Sequence, residues 1–395
     1  MSPLKVDMTI VGAGLVGLAA AVALNQAGYE VVLVDSQLPQ PNENQAEWDQ
    51  RIYAISPKNA QWLMRLGAWQ LLDVSRVTEM QAMEIWGDAT PEPLQLLADD
   101  VNADNLGFIV EERALKHALM ERAQACGVSM LFGHAGESLN ASAHQAVLNL
   151  DNQQSIASTL LLAADGANSW VRQQLAIGTQ QKPYHQTAIV ANFVTERTHG
   201  NIARQWFTQD DAGKSGVMAW LPLPGNKISI VWSAPTPYAD RLLTLNATEF
   251  AQQVMAVGHS TLGELTLMGD AAAFPLTLKK ANELSQNSIV LVGDAAHRVH
   301  PMAGQGVNLG FRDVIDLLQI LASRHQYQHI NDARLLKQYS RARKADLLAM
   351  LALTNGLYHL FESQNSVVKK VRNWGLSATN QQPIKKMLVV NAVAL

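Results

Sequence analysis

The feature that most constrains the fold is a glycine-rich turn near the start of the chain. An apolar run over Asp7–Val11 leads into the motif G-x-G-x-x-G at Gly12–Gly17, and a helix-like stretch follows. Glu30–Val34 is a second apolar run, and it ends at the acidic residue Asp35. This order of strand, glycine-rich turn, helix, strand and acid is typical of a βαβ unit with a parallel sheet.

Each glycine of the motif has a physical task in such a unit. Gly12 permits the tight turn, Gly14 lets a pyrophosphate approach the backbone, and Gly17 lets the helix pack closely on the strand. Asp35 is placed to accept hydrogen bonds from ribose hydroxyls. The motif therefore predicts dinucleotide binding. The alternative is a glycine-rich helix start that binds nothing.

A second stretch, Ser288–Asp313, combines the same kinds of element. The apolar run Ile289–Val292 predicts a buried strand with Gly293 and Asp294 at its end, and the apolar spacing after Asn308 predicts a helix. The Asp294 carboxylate can accept hydrogen bonds from ligand hydroxyls, and the helix start favours an anion. The alternative is a plain strand–loop–helix connection.

The amino-acid sequence of this second stretch resembles that of a known family. G-D-A-A-H followed by H-P-M-A-G-Q-G-V-N-L-G-F-R-D is similar to the flavin-facing motif of the FAD-dependent aromatic hydroxylases, which share the p-hydroxybenzoate hydroxylase fold. The residues of this motif are most similar to those of the ubiquinone-biosynthesis hydroxylases. The resemblance implies FAD contacts at Gly293, Asp294, Pro301, Gly304, Gln305, Gly306 and Asn308.

Three other segments carry the same resemblance. D-x-R-x-x-A-I-S at Asp49–Ser56 is similar to the family's second flavin contact, with Arg51 as a fork donor near the pyrophosphate. Arg113 would approach the ribityl chain, although the family often has Asn where this chain has Glu112. Asp165–Gly166 is similar to the family's D-G motif near the pyrophosphate and the path of NAD(P)H. The alternatives are that Arg51 and Arg113 are ordinary solvated side chains and that Asp165 is an acidic residue of a turn without a ligand.

The pattern along the rest of the chain predicts an α/β fold, with a Rossmann-like FAD-binding domain, an inserted β-sheet substrate domain and C-terminal helices. Val217–Leu223 and Ile228–Ser233 predict a hairpin, Met80–Trp86 an added strand, and Tyr339–Phe361 a nearly continuous helix. The predicted FAD-binding domain comprises residues 1–75, 100–180 and 270–330. The predicted substrate domain comprises residues 76–99 and 181–269, and the helical region residues 331–395.

The resemblance implies a monooxygenase that binds one FAD. NAD(P)H or a separate reductase would supply electrons, and O2 would form a flavin C4a-hydroperoxide that hydroxylates a polyprenylated phenol of ubiquinone biosynthesis. No catalytic side chain is assigned, because His297 and His300 beside the loop are more often structural hydrogen-bonders. The sequence has no Cys/His cluster with metal-site spacing.

Two other functions are compatible with these motifs. One is a hydroxylase of a small soluble aromatic acid, which would need a cationic anchor such as Arg197, Arg204 or Arg241. The other is a flavin-binding scaffold that holds a prenyl lipid for partner enzymes in a biosynthetic complex. The intact flavin motifs favour an enzyme over the scaffold.

Composition and charge bear on location and partners. The chain has 395 residues, a hydrophobic content of 48% and a single cysteine, Cys126, so it forms no internal disulfide and fits a reducing compartment. Nothing indicates nucleic-acid binding, and an oligomer is compatible with the sequence. We expect a cytoplasmic protein without a signal peptide or membrane span.

Charge is distributed unevenly along the chain. The net charge is -4, yet from residue 334 to the end there are ten Lys/Arg against two Asp/Glu. We therefore expect this region to dock peripherally at the inner face of an anionic membrane or on a membrane-bound biosynthetic complex. The alternative is that the helices of this region pack on the FAD-binding domain and their charges are solvated. The docking residues would be Arg341, Arg343, Lys344, Lys369, Lys370, Arg372, Lys385 and Lys386, around the apolar run Leu347–Leu353.

Overall fold

The computed structural model describes residues 2–39, 47–87, 93–210, 213–299 and 305–362. His300, Pro301 and Gly304 of the predicted flavin loop lie outside the described residues. Positions 363–395, with five of the ten C-terminal basic residues, lie outside them as well.

The described residues form an α/β structure, as predicted. Its strands are β1 (Leu4–Val11), β2 (Val31–Asp35), β3 (Ile52–Ile55), β4 (Thr78–Met80), β5 (Ala82–Trp86), β6 (Leu94–Leu97), β7 (Gly107–Glu111), β8 (Ser129–Phe132), β9 (Gly136–Ala141), β10 (Ala146–Leu150), β11 (Ser155–Ala163), β12 (Thr179–Thr195), β13 (Ile202–Gln209), β14 (Ser215–Leu223), β15 (Lys227–Pro235), β16 (Leu265–Ala281), β17 (Ser285–Gln286), β18 (Ile289–Leu291) and β19 (His297–Arg298). Its helices are α1 (Leu15–Gln26), α2 (Pro57–Leu66), α3 (Glu112–Ala125), α4 (Trp170–Gln174), α5 (Thr236–Leu243), α6 (Ala247–Val257), α7 (Gln305–Ala322) and α8 (Ala333–Glu362).

The first sheet is the Rossmann-like layer, with strand order β17-β18-β11-β1-β2-β8. β1 pairs in parallel with β11 and β2, β2 with β8, and β11 with β18. The carboxyl ends of parallel strands lie at one edge of a sheet, where open α/β folds bind their ligands. The turns at that edge begin with Gly12, Asp35, Asp165 and Gly293, so the predicted motifs share one edge.

The packing of this layer explains why its central elements are so apolar. Residues 31–34 of β2 are all buried, and so are residues 17–24 of α1. A helix that is apolar around its whole circumference is stable only when it is covered on every side. α1 meets this condition because it packs against the sheet, α3 and α7.

The second sheet has the order β19-β16-β12-β15-β14-β13-β5-β6. Pro224–Asn226 joins β14 to β15 as the predicted hairpin. One face packs on α5 and α6 through a core that includes Trp206, Trp220 and Trp232. The opposite face carries the alternate residues of the same strands, which are smaller.

The predicted strand Met80–Trp86 is divided between two sheets. β4 pairs with β7 in a small sheet of order β3-β7-β4, whereas β5 pairs in parallel with β13 of the second sheet, as an added strand. The backbone leaves one sheet for the other at Gln81, whose N–H donates to the Asn201 carbonyl and whose carbonyl accepts from the Ala98 N–H. This segment therefore links the two sheets.

Element boundaries bear on the predicted domains without deciding them. β16 runs past the predicted boundary at residue 269 because it pairs with β12 as far as Ala281. The predicted boundaries stay a prediction. The predicted C-terminal helix is confirmed as α8, which begins earlier, at Ala333. Within the described residues, none of the helices has the length and apolar character needed to cross a membrane.

One predicted surface residue is in the interior. Arg343 was expected among the exposed basic residues of the C-terminal region, but its side chain is 2% exposed and forms ion pairs with three aspartates. Leu347 and Met350 are also buried, because this face of α8 packs on the protein. The expectation that Arg343 faces a membrane is wrong.

Candidate functional site

The three glycines of the turn after β1 have different surroundings. Gly12 has φ +106°, and a Cβ there would lie 2.4 Å from the Ala164 carbonyl oxygen. A Cβ on Gly17 would lie 1.9 Å from the Gly12 oxygen, so both positions require glycine for the fold itself. A Cβ on Gly14 would meet no described atom within 4 Å. The space beside Gly14 is therefore open to a ligand.

The start of α1 is a site for an anion. Gly14 is extended at the helix N-cap, and within the described residues no side chain caps this end and no acidic residue lies in the first turn. The first N–H groups of a helix lack partners inside the helix and carry a partial positive charge. Asp35 lies beside them: its carboxylate accepts from the N–H of Ala13 at 2.6 Å and of Gln37 at 2.8 Å, and its oxygens have lone pairs left for ribose hydroxyls.

The segment that carries Arg51 is held from both ends. The Asp49 carboxylate accepts from the N–H groups of Arg51 at 3.0 Å and Arg113 at 2.9 Å. The Asp49 N–H donates to Glu111 at 2.7 Å, and Glu111 also takes a bidentate bond from Arg76 at 2.6 and 2.8 Å. These contacts fix the backbone on both sides of Arg51.

The Arg51 guanidinium projects from this fixed backbone. It lies 3.3 Å from a Glu112 oxygen, and its side chain is 68% exposed. Tyr53 donates to the same Glu112 oxygen at 3.3 Å, and burial followed by the charge of Glu112 raises the pKa of Tyr53. Most of the Arg51 fork is therefore open to a ligand.

Arg113 contacts the segment that carries Arg51. Its guanidinium donates to the Glu47 carbonyl at 2.6 Å, so in this structure it braces the segment that carries Arg51. A contact between Arg113 and the ribityl chain stays a prediction.

Asp165 and Arg172 join the turns after β11 and β18. Asp165 accepts from the Val171 N–H at 3.0 Å, and burial raises the pKa of its carboxyl although hydrogen bonds oppose the shift. Arg172 is 4% exposed and donates to the carbonyls of Ala295 at 2.7 Å and Ala167 at 2.9 Å. Gly166 has φ +80° and open space beside its Cα among the described residues.

Asp294 is the acid in the turn after β18, at the same edge of the sheet. Its side chain has solvent-accessible surface, yet burial raises the pKa of its carboxyl. Both hold when protein atoms surround the carboxylate closely while one side of it stays open to solvent. The charge of Arg51 opposes this shift, and the charge of Asp294 raises the pKa of Tyr53. The fold thus brings Asp294 close to the segment of Arg51 across more than 240 residues of sequence.

Comparisons with known proteins agree with this geometry. A family model described as FAD binding domain matches residues 5–354. The chain is 32% identical over 391 residues to a ubiquinone hydroxylase of Rhodospirillum rubrum, covering 98% of this chain and 89% of that protein. It is 32% identical over 388 residues to 3-demethoxyubiquinol 3-hydroxylase of Escherichia coli, covering 96% of each. The crystal structure of p-nitrophenol 4-monooxygenase from Pseudomonas putida matches with a TM-score of 0.79 at 16% identity, covering 99% of this chain and 98% of that one.

The chain belongs to this family of FAD-dependent hydroxylases. The resemblance predicted from the motifs is confirmed, FAD is the cofactor, and the protein is a flavin-dependent monooxygenase. The described residues fit the cofactor, because the uncapped start of α1 and the open space at Gly14 suit a pyrophosphate, and Asp35 and Asp294 offer acceptors to hydroxyl groups.

The start of α7 in this hydroxylase contains the last residues of the predicted flavin motif. Gln305 and Gly306 begin this helix, and Gly306 has open space beside its Cα among the described residues. Asn308 is 1% exposed; its amide donates to the Ala54 carbonyl at 2.7 Å and accepts from the Ser56 N–H at 2.9 Å. Asn308 therefore joins α7 to the start of α2, and a direct contact with FAD stays a prediction.

His297 behaves as a structural residue. It is 3% exposed, and its Nε2 lies 2.8 Å from Asp313, deep between β19 and α7. Of the three arginines considered as carboxylate anchors, Arg204 is buried and paired with Glu84 at 2.9 Å, and Arg241 lies over the Tyr238 ring on α5. The third, Arg197, is exposed in the turn after β12.

Several residues of the site were missed in the sequence. Glu111 and Arg76 brace the Asp49 segment, and Asn192 donates to the Asp49 carbonyl at 2.9 Å. Asp49 itself stands in the D-x-R motif, which is a local signal. Asn192 is 143 residues from Asp49 in the chain, and no local pattern indicates such a contact.

Proposed function

We propose that this hydroxylase inserts one oxygen atom of O2 into the ring of a polyprenylated phenol of ubiquinone biosynthesis. The flavin chemistry is supported by Gly14, Asp35 and Asp294, which lie in turns at one edge of the parallel sheet, and by Arg51, whose charge opposes the rise in the pKa of Asp294. The substrate class is supported by the two relatives at 32% identity, whose names are those of ubiquinone hydroxylases.

The chain would hold FAD with groups from four turns. The start of α1 would bind the pyrophosphate with backbone N–H groups, and Asp35 would accept from the ribose. The Arg51 guanidinium would donate two hydrogen bonds to the pyrophosphate, and Asp165–Gly166 would lie beside it. Asp294 would accept from the hydroxyls of the ribityl chain. The start of α7 at Gln305 and Gly306, after the loop of Gly293, Pro301 and Gly304, would favour negative charge on the ring.

Bound FAD would supply the oxygen chemistry, with electrons from NAD(P)H or a separate reductase. The protein itself must position the ring of the substrate and keep water away. The face of the second sheet opposite its tryptophan core suits this task. Val190, Ala219 and Val231 form a cross-strand row there, next to the row of Asn192, Leu221 and Ser229.

This face borders the flavin side of the molecule. Asn192 contacts Asp49, and Leu221 and Leu223 pack with Ile52 of β3. Ala219, Leu221 and Val231 are half-buried, which is typical of the wall of a cleft. We propose that it forms the wall of the phenol site. The smaller acid substrate is less well supported, because the Arg204 charge is already paired with Glu84.

Oxygen labelling tests the reaction. The FAD-loaded protein, a reductant and the prenylated phenol in detergent are supplied with 18O2, and the product is analysed by mass spectrometry. One labelled oxygen per hydroxylated ring is expected. Label that enters only from water contradicts a monooxygenase. A protein that is reduced and reoxidised normally but hydroxylates no phenol would be the scaffold.

We also propose that residues beyond α8 dock the enzyme on an anionic membrane or on a membrane-bound complex, since a polyprenyl phenol is almost insoluble in water. Basic residues near an anionic surface contribute about 1 kcal/mol each.

The test of this membrane docking is co-sedimentation with vesicles of varied anionic content. Changing Lys369, Lys370 and Arg372 to Ser should weaken binding at low salt, whereas serines at three exposed cations of the FAD-binding side should not. Binding that ignores salt and both triple changes contradicts the proposal. The control positions are Lys5, Lys58 and Arg65.

A further inference from the structure

A buried charge cluster joins α7, α8 and the turn after β18. Asp313 is 0% exposed, Arg343 2% and His297 3%. The Asp313 carboxylate accepts from Arg343 Nε at 2.6 Å and from His297 Nε2 at 2.8 and 3.1 Å. Since a carboxylate only accepts, His297 carries a hydrogen on Nε2. None of these three side chains has a part in the hydroxylation described above.

The cluster ends one residue from Asp294. The second oxygen of Asp313 accepts from the Gly293 N–H at 2.8 Å, and Gly293 has φ +58°. Burial would raise the pKa of Asp313, but His297, Arg343 and this N–H together hold the pKa below its usual value. Asp313 is therefore ionised and fixes the backbone that carries Asp294.

Arg343 fixes Asp313 in turn. Its guanidinium also donates to Asp316 at 2.7 Å and forms an ion pair with Asp346 at 2.7 Å, so it bridges both helices. Its remaining nitrogen donates to the Leu309 carbonyl at 3.4 Å, in the first turns of α7. One side chain of α8 thus contacts both the carboxylate behind Gly293 and the helix that begins at the predicted flavin loop.

Stability alone gives a poor reason for such a cluster. Buried ion pairs add little to stability compared with well-packed apolar groups of the same volume, because the charges lose their hydration. They do hold neighbouring atoms in a single geometry when every donor and acceptor is satisfied. Here the atoms so held are the backbone of Gly293, next to Asp294, and the first turns of α7.

We propose that Arg343 is a positioning residue for the flavin: it orients Asp313, which holds the Gly293 N–H and thereby aims Asp294 at the cofactor. This inference rests on the proposed role of Asp294 in FAD binding. It makes the flavin site dependent on α8, which lies outside the parallel sheet and some fifty residues further along the chain.

The test compares Arg343→Met with Arg312→Met. Arg312 also joins α7 to α8, through an ion pair with Asp346 at 3.3 Å. Within the described residues it makes no hydrogen bond or ion pair with Asp313, so it controls for the loss of a helix–helix ion pair. The FAD dissociation constant is measured by titrating deflavinated protein, with the visible spectrum and midpoint potential of the bound flavin. Arg343→Met should raise the dissociation constant about tenfold or more and shift the spectrum and the potential. Arg312→Met should change the dissociation constant less than about threefold and leave the flavin signals as in the wild type.

A double variant keeps the test decisive if Arg343→Met folds poorly. Asp313→Asn in the Arg343→Met background removes the unpaired buried charge, so the double variant should recover the thermal stability of the apoprotein but not the FAD affinity. Recovery of both, or loss of stability with unchanged affinity, spectrum and potential, would mean that the cluster is only structural. A wild-type protein that binds no FAD would instead overturn the proposed function.

Discussion

At the scale of single residues, Gly14 and Gly17 stand three positions apart in one turn but have different surroundings. Gly14→Val places its side chain in open space, so the free energy of unfolding of the apoprotein should change by no more than about 0.5 kcal/mol. The same side chain occupies the proposed pyrophosphate position and should abolish FAD binding. Gly17→Ala meets the Gly12 oxygen and should cost about 1–3 kcal/mol of stability. Urea unfolding of both apoproteins and an FAD titration check this prediction, and equal stability losses would contradict it.

Because of Asp294, we expect the stability of the apoprotein to depend on pH. Because burial raises the pKa of Asp294, the folded state binds its proton more tightly than the unfolded state does. Its contribution to stability therefore falls as pH rises from the ordinary carboxyl value of 3.8 through the raised value, and is constant above it. Asp294→Asn removes this loss.

The melting temperature of Asp294→Asn relative to wild type should therefore rise with pH across that window and then level off, while its FAD affinity falls. Thermal unfolding of both apoproteins from about pH 4 to about pH 7.5 gives the comparison. Asp240→Asn, at an exposed position on α5, serves as the control. A difference that does not vary with pH would show that Asp294 is not held in a desolvated position.

The residues found from sequence are those whose chemistry is local. Gly12, Gly17 and Asp35 follow from a strand–turn–helix spacing that backbone sterics impose, and the structure has them in those geometries. Arg343 shows the limit of such reasoning. A basic residue on an amphipathic helix is usually solvated, and only the folded chain brings it to Asp313, 30 residues away.

At the scale of elements, the buried carboxylate of Glu111 supports the segment of Arg51. Glu111→Ala would remove the carboxylate that accepts from both the Arg76 guanidinium and the Asp49 N–H, and Arg76 would keep its bond to the Glu47 carbonyl. Breaking such a pair should cost about 3 kcal/mol of stability and loosen the backbone around Arg51. We therefore expect FAD affinity to fall as well. Glu79→Ala, an exposed position on β4, is the control, and an unchanged FAD affinity in Glu111→Ala would separate this segment from the cofactor.

The elements differ in how far sequence predicts them. The bounds of α2, Pro57–Leu66, follow from local signals, because Ser56 caps its start and Gly67 adopts φ +79° after its end. β12 and β16 are long antiparallel partners whose pairing joins residues up to about a hundred positions apart. Such pairing depends on contacts between distant segments rather than on local propensity, which is why sequence predicted a sheet but not its strand order.

At the scale of the whole molecule, the second sheet contacts the segment of Asp49 through the Asn192 side chain. The second sheet packs its tryptophans on α5 and α6, and its opposite face carries Val190, Ala219 and Val231. The same alternation of side chains along β15 therefore builds a core on one side and the proposed phenol wall on the other.

Filling this wall should separate substrate binding from cofactor binding. Val231→Trp adds a large side chain at a half-buried position beside Val190 and Ala219, so we expect KM for the prenylated phenol to rise or turnover to be lost, with FAD affinity unchanged. Val194→Trp lies on the same face of β12 but is 41% exposed, and it should behave like the wild type. Steady-state kinetics with an FAD titration measure both quantities. Normal phenol kinetics in Val231→Trp would contradict the proposed wall, whereas loss of FAD in that variant would mean that this face borders the flavin itself.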